Sequence, residues 1–211
     1  LWRVGQRPIN LPVDITNYVM LATGQPTHAF DKNHVHGGIR VRRAKEGEKL
    51  LLLDGETLDL TTEDLVIAEE TLPIGLAGIM GGKLDSILDD TTQIILEVAD
   101  FDALGIRRTC QRFDLRTEAS SRYEKGIDPQ RAEGAAAVAI EAFRKYFPEM
   151  RITAVTDVYP RPLECARVEV SLGFLSRRLG KDITAQEVID TLSLLGFETK
   201  ADGDLLTVTA P

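Results

Sequence analysis

Cysteine and histidine are scarce in this sequence, and their spacing argues against a metal site or a disulfide. The two cysteines, Cys110 and Cys165, lie far apart and outside any Cys-x-x-Cys or Cys/His pattern. Zinc sites and disulfide frameworks need closer or more numerous partners. His34 and His36 lie in a polar, glycine-flanked loop without a third ligand, and we interpret them as solvated. The sequence therefore predicts no metal site, and its free thiols fit a reducing cytoplasm.

Long apolar runs and common catalytic motifs are also absent. No run approaches the roughly 20 apolar residues that cross a bilayer, and no signal-peptide pattern opens the chain, so we expect no membrane association. The sequence contains no Gly-x-Ser-x-Gly, Walker loop, dinucleotide fingerprint or His-Glu-x-x-His motif. Serine hydrolysis, nucleotide hydrolysis and zinc proteolysis are therefore unsupported. The chain has no initiating methionine, and we expect it to be a piece of a longer protein.

What is present is the composition of a globular protein with an uneven distribution of charge. The 211 residues are 43% hydrophobic, which suits one large domain or a medium domain followed by a small one. A net charge of −8 argues against binding nucleic acid through bulk positive charge. Residues 54–102 hold thirteen acids and one lysine, whereas residues 107–131 hold seven bases and four acids. The pattern indicates either ordinary solvated faces or a basic lip beside an acidic body.

The apolar pattern predicts an α+β fold, a mixed arrangement of layered strands with packed helices. We expect irregular chain up to Pro12, because proline breaks regular structure, and then a helix capped by Asp14 or Thr16 and closed by Gly24. Short strands are predicted at 39–42, 49–53, 57–60, 65–68, 74–80 and 92–98, and longer helices at about 102–113 and 129–146. Four glycines between positions 75 and 82 indicate that the backbone approaches a neighbour closely there.

The last quarter of the chain has a different pattern. Prolines at 148, 160 and 162 predict a linker. A strand at 167–172, a helix at 173–179, a capping box formed by Thr184 and Glu187, and a hairpin turning at 202–203 follow in order. We therefore divide the chain into a domain at 1–158 and a partial second module at 163–211.

The stretch 116–129 concentrates polar side chains more than any other part of the chain. It holds two arginines, one lysine, three acids and three hydroxyls apart from a tyrosine, and it ends in a Gly-x-Asp-Pro turn. A segment this polar buries little surface by itself. It is therefore either a solvated face or a functional site.

His28 and Glu97 are two further residues that could carry chemistry. His28 follows a Gly-Gln-Pro turn, and its imidazole is either a packing residue or a group that activates or positions water. Glu97 interrupts an apolar strand, where alternation places it on one face with Ile95 and Ala99. That face is either wet, or it points into a cavity, where an unpaired carboxylate is costly until a donor arrives. Sequence physics does not show that these residues meet the stretch 116–129.

Three motifs in this order resemble the β subunit of bacterial phenylalanyl-tRNA synthetases. They are Asp14-Ile-Thr-Asn-Tyr-Val-Met continuing to Gly-Gln-Pro-Thr-His-Ala-Phe-Asp31, Ile79-Met-Gly-Gly82, and Thr117-Glu-Ala-Ser-Ser-Arg-Tyr-Glu-Lys-Gly-Ile-Asp-Pro129. The similarity covers essentially the whole chain. It implies that residues 1 to about 158 form that subunit's editing module and that residues from about 163 begin a small winged-helix-like module. The family commonly has aspartate where Glu118 stands, a change that preserves the charge.

The resemblance implies hydrolytic editing, the removal of tyrosine wrongly attached to phenylalanine tRNA, within an enzyme that attaches phenylalanine to that tRNA with ATP. By this resemblance the catalytic residues are His28 and Thr117. The substrate-binding residues are Glu97, Gly81, Ala119 and Asn17. In this assignment Glu97 accepts a hydrogen bond from the tyrosine phenol, and the small residues leave room for the ring and the ester. Thr117 holds the amine, the ester or a water, and His28 orients the water or the terminal ribose.

The same resemblance implies the surroundings of this activity. It implies no cofactor in this chain, ATP and magnesium in the whole enzyme, and a cytoplasmic location. Its partners would be phenylalanine tRNA and a catalytic α subunit, joined in a heterotetramer. The alternative is a non-catalytic module, a scaffold that docks tRNA or packs subunits together.

Overall fold

The computed structural model describes residues 1–84 and 86–211, which form two units, Leu1–Arg151 and Ile152–Pro211. The fold is a mixture of antiparallel sheets and helices, as the sequence predicts. Of the helices in the described residues, none combines the length and apolar character needed to cross a membrane.

Over its described residues, the first unit contains four α-helices and eight strands. The helices are α1 (Leu11–Thr23), α2 (Ala103–Phe113), α3 (Ser120–Tyr123) and α4 (Arg131–Tyr146). The strands are β1 (Thr27–Asp31), β2 (Arg40–Arg43), β3 (Lys49–Leu51), β4 (Thr57–Asp59), β5 (Leu65–Ala68), β6 (Pro73–Leu76), β7 (Met80–Gly81) and β8 (Ile94–Val98). They form a four-stranded sheet in the order β2-β5-β6-β7, the hairpin β3-β4, and a two-stranded ribbon of β1 and β8.

The β1–β8 ribbon separates two hydrophobic cores of the first unit. On one face of β8, Ile94, Leu96 and Val98 pack against the cluster formed by α1 and α4. On the other face, Ile95 and Ala99 pack against the larger cluster under the four-stranded sheet. The predicted alternation of this strand is confirmed, and it places the Glu97 side chain on the side of the larger core.

Helix α1 begins earlier than the sequence predicts. We expected irregular chain up to Pro12 and a cap at Asp14 or Thr16, but the helix begins at Leu11. The cap is Asn10, whose side-chain oxygen accepts a hydrogen bond from the Val13 N–H at 3.1 Å. Proline fits the first helical turn because its missing N–H has no partner to lose there. The prediction of a break at Pro12 was therefore wrong, whereas the C-terminal stop at Gly24 is confirmed.

The glycine-rich strand predicted at 74–80 is two strands. β6 and β7 run antiparallel and are joined by a tight turn at 77–79. Gly78 lies in this turn with φ +68°, and a Cβ atom there would lie 2.8 Å from Cδ2 of Phe101 and 2.9 Å from Cδ1 of Ile106. The predicted close approach of the backbone is thus confirmed, since only glycine fits both the positive φ and the space.

The second unit has the predicted order of strand, two helices and hairpin. Its elements are β9 (Arg167–Ser171), α5 (Leu172–Leu179), α6 (Ala185–Ser193), β10 (Glu198–Asp202) and β11 (Leu205–Thr209), and the sheet order is β10-β11-β9. The predicted capping box is present at the start of α6. The Glu187 carboxylate accepts from the Thr184 N–H at 2.8 Å, and the Thr184 hydroxyl accepts from the Glu187 N–H at 3.3 Å.

Candidate functional site

A cavity of about 430 Å³, counting its open mouth, lies in the first unit between the β1–β8 ribbon, the β6–β7 turn and α3. Four of the predicted site residues line it: His28, Gly81, Glu97 and Ala119. Tyr123 also lines this cavity.

His28 and Glu97 are held opposite each other by the ribbon. The register of β1 and β8 pairs their Cα atoms directly. Residues that are directly opposite in an antiparallel pair project to the same face of the sheet. His28 is therefore a strand residue, and it follows the Gly-Gln-Pro turn as the sequence predicts.

The His28 imidazole is neutral and has an unused nitrogen. Its Nε2 atom is buried and has no hydrogen-bond partner in the described part of the chain. The ring lies edge-on to Phe30, with the ring centroids 4.5 Å apart. Burial lowers the pKa of His28 to about 4, because the apolar surroundings disfavour the charged form. At neutral pH this nitrogen can accept or donate one hydrogen bond, depending on the tautomer.

The Glu97 carboxyl is also unpaired. Burial alone raises the pKa of Glu97 to about 8, and no cation or hydrogen-bond donor of the described residues offsets it. An uncompensated carboxyl in such a place takes up a proton instead of remaining charged. At pH 7 it is therefore mostly a neutral acid, which can both donate and accept a hydrogen bond.

Gly81 leaves space for the imidazole. A Cβ atom at this position would lie 2.6 Å from Cε1 and 2.8 Å from Nε2 of His28. Any side chain larger than hydrogen would push the ring away from its place opposite Glu97. The sequence assigned Gly81 to substrate space, and the structure adds this second reason for a small residue.

Thr117 and Asn17 lie outside the set that the cavity brings together. The Thr117 hydroxyl donates to the Ile79 carbonyl at 2.8 Å and accepts from the Ser120 N–H at 3.0 Å. It therefore ties the segment before α3 to the β6–β7 turn. Asn17 is half-buried on α1. Neither residue is part of the cavity lining, and their contact with a substrate stays a prediction.

The charged residues around α3 are largely paired with one another. Arg122 Nη1 lies 2.7 Å from Glu118 Oε2, and Arg116 Nη2 lies 3.0 Å from Glu124 Oε1. The stretch 116–129 therefore combines the two interpretations that the sequence left open. Its small residue Ala119 lines the cavity, while these four charged side chains pair around the segment.

Sequence reasoning missed two residues beside the cavity, Gln25 and Tyr123. Gln25 is fully buried, and its side chain donates to backbone carbonyls and reaches the Tyr123 hydroxyl at 3.4 Å. The proline that follows Gln25 is the signal that could have found this pair, because it removes a backbone donor from the start of β1.

Metal ligands do not cluster here. Across residues 1–84 and 86–211, no group of three or more histidine, cysteine, aspartate or glutamate side chains could hold a metal ion. The cavity therefore offers hydrogen bonds from a neutral imidazole and a neutral carboxyl, with small residues beside them.

The chain belongs to the B3/4 domain family, whose pattern matches residues 1–148. The resemblance found in the sequence is also confirmed. The chain is 44% identical over 211 residues to the phenylalanine–tRNA ligase β subunit of Cutibacterium acnes, covering 99% of this chain and 25% of that protein. It is 43% identical to the same subunit of Latilactobacillus sakei, covering 100% of this chain and 27% of that protein. The chain thus spans about a quarter of the length of the curated relatives it matches.

Among solved structures, the chain is similar to an N-terminal fragment of the phenylalanyl-tRNA synthetase β subunit from Pyrococcus horikoshii. The match covers 95% of this chain and 59% of that chain, with 13% sequence identity and a TM-score of 0.45. This likeness is too distant to bear on the site.

Proposed function

We propose that this chain is part of a phenylalanine–tRNA ligase β subunit and that its cavity hydrolyses the ester of tyrosine mischarged onto phenylalanine tRNA. The observation that supports this best is the unpaired Glu97 carboxyl inside a cavity, opposite the neutral imidazole of His28. The relatives, named for the ligase, supply the substrate class. The boundaries 1–158 and 163–211, and a winged-helix-like character for the second module, belong to the same proposal.

Selection of tyrosine follows from the state of Glu97. An apolar pocket that binds phenylalanine rejects an added hydroxyl by only about a hundredfold, so a ligase needs a second site that favours the hydroxyl. The tyrosine phenol would give Glu97 its missing hydrogen-bond partner. Phenylalanine would leave the half-buried Glu97 carboxyl without that partner, at a cost at the low end of the about 1–3 kcal/mol of a fully buried group. Because Ala119 and Gly81 have small side chains, they leave room in the cavity for the tyrosine ring.

Hydrolysis needs a positioned water more than a strong base. The oxygen of water attacks the ester carbonyl carbon, the bond from that carbon to the ribose oxygen breaks, and the ribose oxygen takes up a proton. With a pKa of about 4, His28 is a weak general base at neutral pH. Its Nε2 is instead suited to orient the water or the terminal ribose by a hydrogen bond. Thr117 is proposed to assist from the neighbouring segment, and Asn17 from α1.

The other parts of the enzyme are proposed to lie outside this chain. ATP and magnesium would act at the synthetic site of a catalytic α subunit, with phenylalanine tRNA held by both subunits in the cytoplasm. The described residues contain no suitable ligand cluster for magnesium. No step of the hydrolysis is therefore assigned to a metal.

The experiment is deacylation of tRNA charged with tyrosine or with phenylalanine by the intact ligase. Replacing Glu97 by alanine should lower the preference for tyrosine by about tenfold, because the selective hydrogen bond is lost. The matched control is Glu141→Ala, which removes an exposed carboxylate from α4 and should leave the preference unchanged. An unaltered preference in the Glu97 variant would show that this residue does not recognise the phenol.

A second candidate function is a scaffold that docks tRNA or packs subunits. The observation that favours a structural role is that these polar groups bind other parts of the same chain. Arg116 and Arg122 form ion pairs with nearby glutamates, and the Thr117 hydroxyl donates to a backbone carbonyl. Two variants distinguish the functions. Ala119→Trp fills the cavity and His28→Ala empties one side of it, and both should abolish clearance of mischarged tRNA if the cavity is the site. Full clearance by both variants would favour the scaffold.

A further inference from the structure

The β1–β8 ribbon has an irregular end where Pro26 and Thr27 line the cavity. The register pairs Thr27 with Val98, so Pro26 lies opposite Ala99. The Lys32 N–H donates to the Gln93 carbonyl at 3.0 Å, and hydrogen-bonded pairs alternate along an antiparallel ladder. By this alternation residue 26 should donate to the carbonyl of residue 99. Proline has no N–H, so β1 cannot supply that donor.

Two side chains supply the missing donor. The Gln25 Nε2 atom donates to the Ala99 carbonyl at 2.8 Å, and the Tyr123 hydroxyl donates to the same carbonyl at 2.9 Å. Both also reach the Pro26 carbonyl, at 3.2 and 3.3 Å. Gln25 is 0% and Tyr123 is 2% exposed, so water does not replace them easily. We call these two donors and the Ala99 carbonyl the carbonyl clamp.

Tyr123 connects the carbonyl clamp to the opposite wall of the cavity. Its N–H donates to the Ala119 carbonyl at 3.0 Å, within the turn that begins α3. Its ring lines the cavity and lies edge-on to Phe101, with the centroids 5.0 Å apart. Burial, followed by the negative charges that Glu97 and Asp100 carry at high pH, raises the pKa of Tyr123, so its hydroxyl stays a donor at neutral pH.

We infer that Tyr123 and Gln25 are positioning residues that fix the spacing between the wall carrying Ala119 and the strands carrying His28 and Glu97. The carbonyl clamp joins these two parts of the chain at the end of the ribbon nearest the cavity. The consequence for selectivity rests on the proposed function, because it requires a phenol to bind at Glu97. The structural role, in which the carbonyl clamp joins the two walls of the cavity, does not depend on the proposed function.

The test compares Tyr123→Phe, Gln25→Met and the double variant in the 211-residue chain. Each single variant leaves one donor on the Ala99 carbonyl, and the double variant leaves none. The substrates are the 3′-esters of adenosine with tyrosine and with phenylalanine, which do not depend on affinity for tRNA. We expect the ratio of kcat/KM for the two esters to fall about twofold in each single variant, because one donor still holds the Ala99 carbonyl. In the double variant it should fall by more than the product of the two, up to about tenfold, which is the loss expected when the Glu97 hydrogen bond itself is removed.

A second measurement needs no turnover. Carbon-13 NMR of the side-chain carboxyl follows the titration of Glu97, and in the double variant we expect its pKa to move toward the ordinary value by about one unit as water enters the loosened cavity. The control is Phe143→Leu, which weakens the other hydrophobic core, between α1 and α4. It should lower stability without changing the ester ratio or the titration.

The outcomes separate the inference from the proposed function. A shifted Glu97 titration in the double variant, with Phe143→Leu unchanged, supports the positioning role. A titration and an ester ratio equal to those of the original chain would overturn it, as would effects of the two single variants that merely multiply. If the original chain does not prefer the tyrosyl ester, the proposed function fails, and the titration still decides the role of the carbonyl clamp.

Discussion

Two acidic side chains of the first unit, the buried Asp64 and the half-buried Glu97, have opposite surroundings. Asp64 is 0% exposed, and its carboxylate accepts from the Thr61 N–H at 2.9 Å, from the Thr109 hydroxyl at 3.1 Å and from the Arg112 guanidinium. Among the described residues Glu97 has no such partner, and burial alone raises its pKa to about 8. One carboxyl is saturated by the fold, and the other is left for something that the fold does not supply.

The difference teaches which acid holds the structure together. Asp64 lies just before β5, and Thr109 and Arg112 lie on α2, so its bonds attach the helix to the sheet. Within residues 1–84 and 86–211, Glu97 makes no such attachment, and the ribbon is held by its backbone ladder and its cores. A buried polar group without a partner costs free energy, and such groups are found most often at functional sites.

The largest expected effect is on stability at Asp64. Asp64→Ala leaves the Arg112 guanidinium and the Thr109 hydroxyl without their acceptor, and we expect the free energy of unfolding to fall by about 3 kcal/mol. Urea unfolding followed by circular dichroism measures this. The control is Asp59→Ala on β4, whose ion pair with Lys49 is exposed on both sides. Exposed pairs contribute about 0–1 kcal/mol, so the control should change little. Equal effects of the two variants would remove the contrast.

A smaller effect of opposite sign is expected at Glu97. In the unfolded chain its pKa is near 4.5, and in the folded chain it is about 8. Between these values the folded state keeps a proton that the unfolded state releases, so Glu97 makes stability fall as pH rises. Glu97→Gln removes this loss and should stabilise the chain at pH 8.5 by about 2 kcal/mol. Each pKa unit corresponds to about 1.4 kcal/mol, and the open cavity reduces the full sum.

The measurement is urea unfolding of both chains at pH 5.5, 7 and 8.5. His28 contributes in the other direction, because its pKa of about 4 lies below the unfolded value of 6.5. Its contribution rises between about pH 4 and 6.5 and is constant above that, so the two slopes oppose each other only on the acid side. Above pH 6.5 the Glu97 slope should stand alone. A Glu97→Gln chain with the same slope as the original between pH 7 and 8.5 would show that Glu97 is solvated or paired.

The structure around these side chains could be predicted from the sequence only in part. Local rules were enough for the alternation that turns Glu97 toward the larger core and for the capping box at Thr184, because both depend on residues within a few positions of each other. They failed at Pro12, where the same residue type that breaks a helix interior also suits a first turn.

The rest depends on contacts between distant parts of the chain. The bond from Gln25 to the Ala99 carbonyl spans 74 positions, and the pairing of His28 with Glu97 joins β1 to β8, with the strands β2 to β7 between them in the sequence. Periodicity carries no information about which strands pair. The family resemblance identified four of the residues that line the cavity, but the spare nitrogen of His28 and the carbonyl clamp required the folded chain.

The smallest expected effect concerns Gly81, which lies against His28, the residue opposite Glu97. A Cβ atom there overlaps Cε1 and Nε2 of His28, so Gly81→Ala must displace the imidazole. We expect a loss of about 1 kcal/mol in unfolding free energy, as for mild overpacking, together with a changed Cε1–H resonance of His28 in proton NMR. The control is Gly134→Ala in α4, where a Cβ atom meets nothing within 4 Å, and helix propensity predicts a gain of about 0.5–1 kcal/mol. If both variants instead change the unfolding free energy in the same direction, and the His28 resonance does not shift, the imidazole has spare room. Its position opposite Glu97 is then not fixed by Gly81.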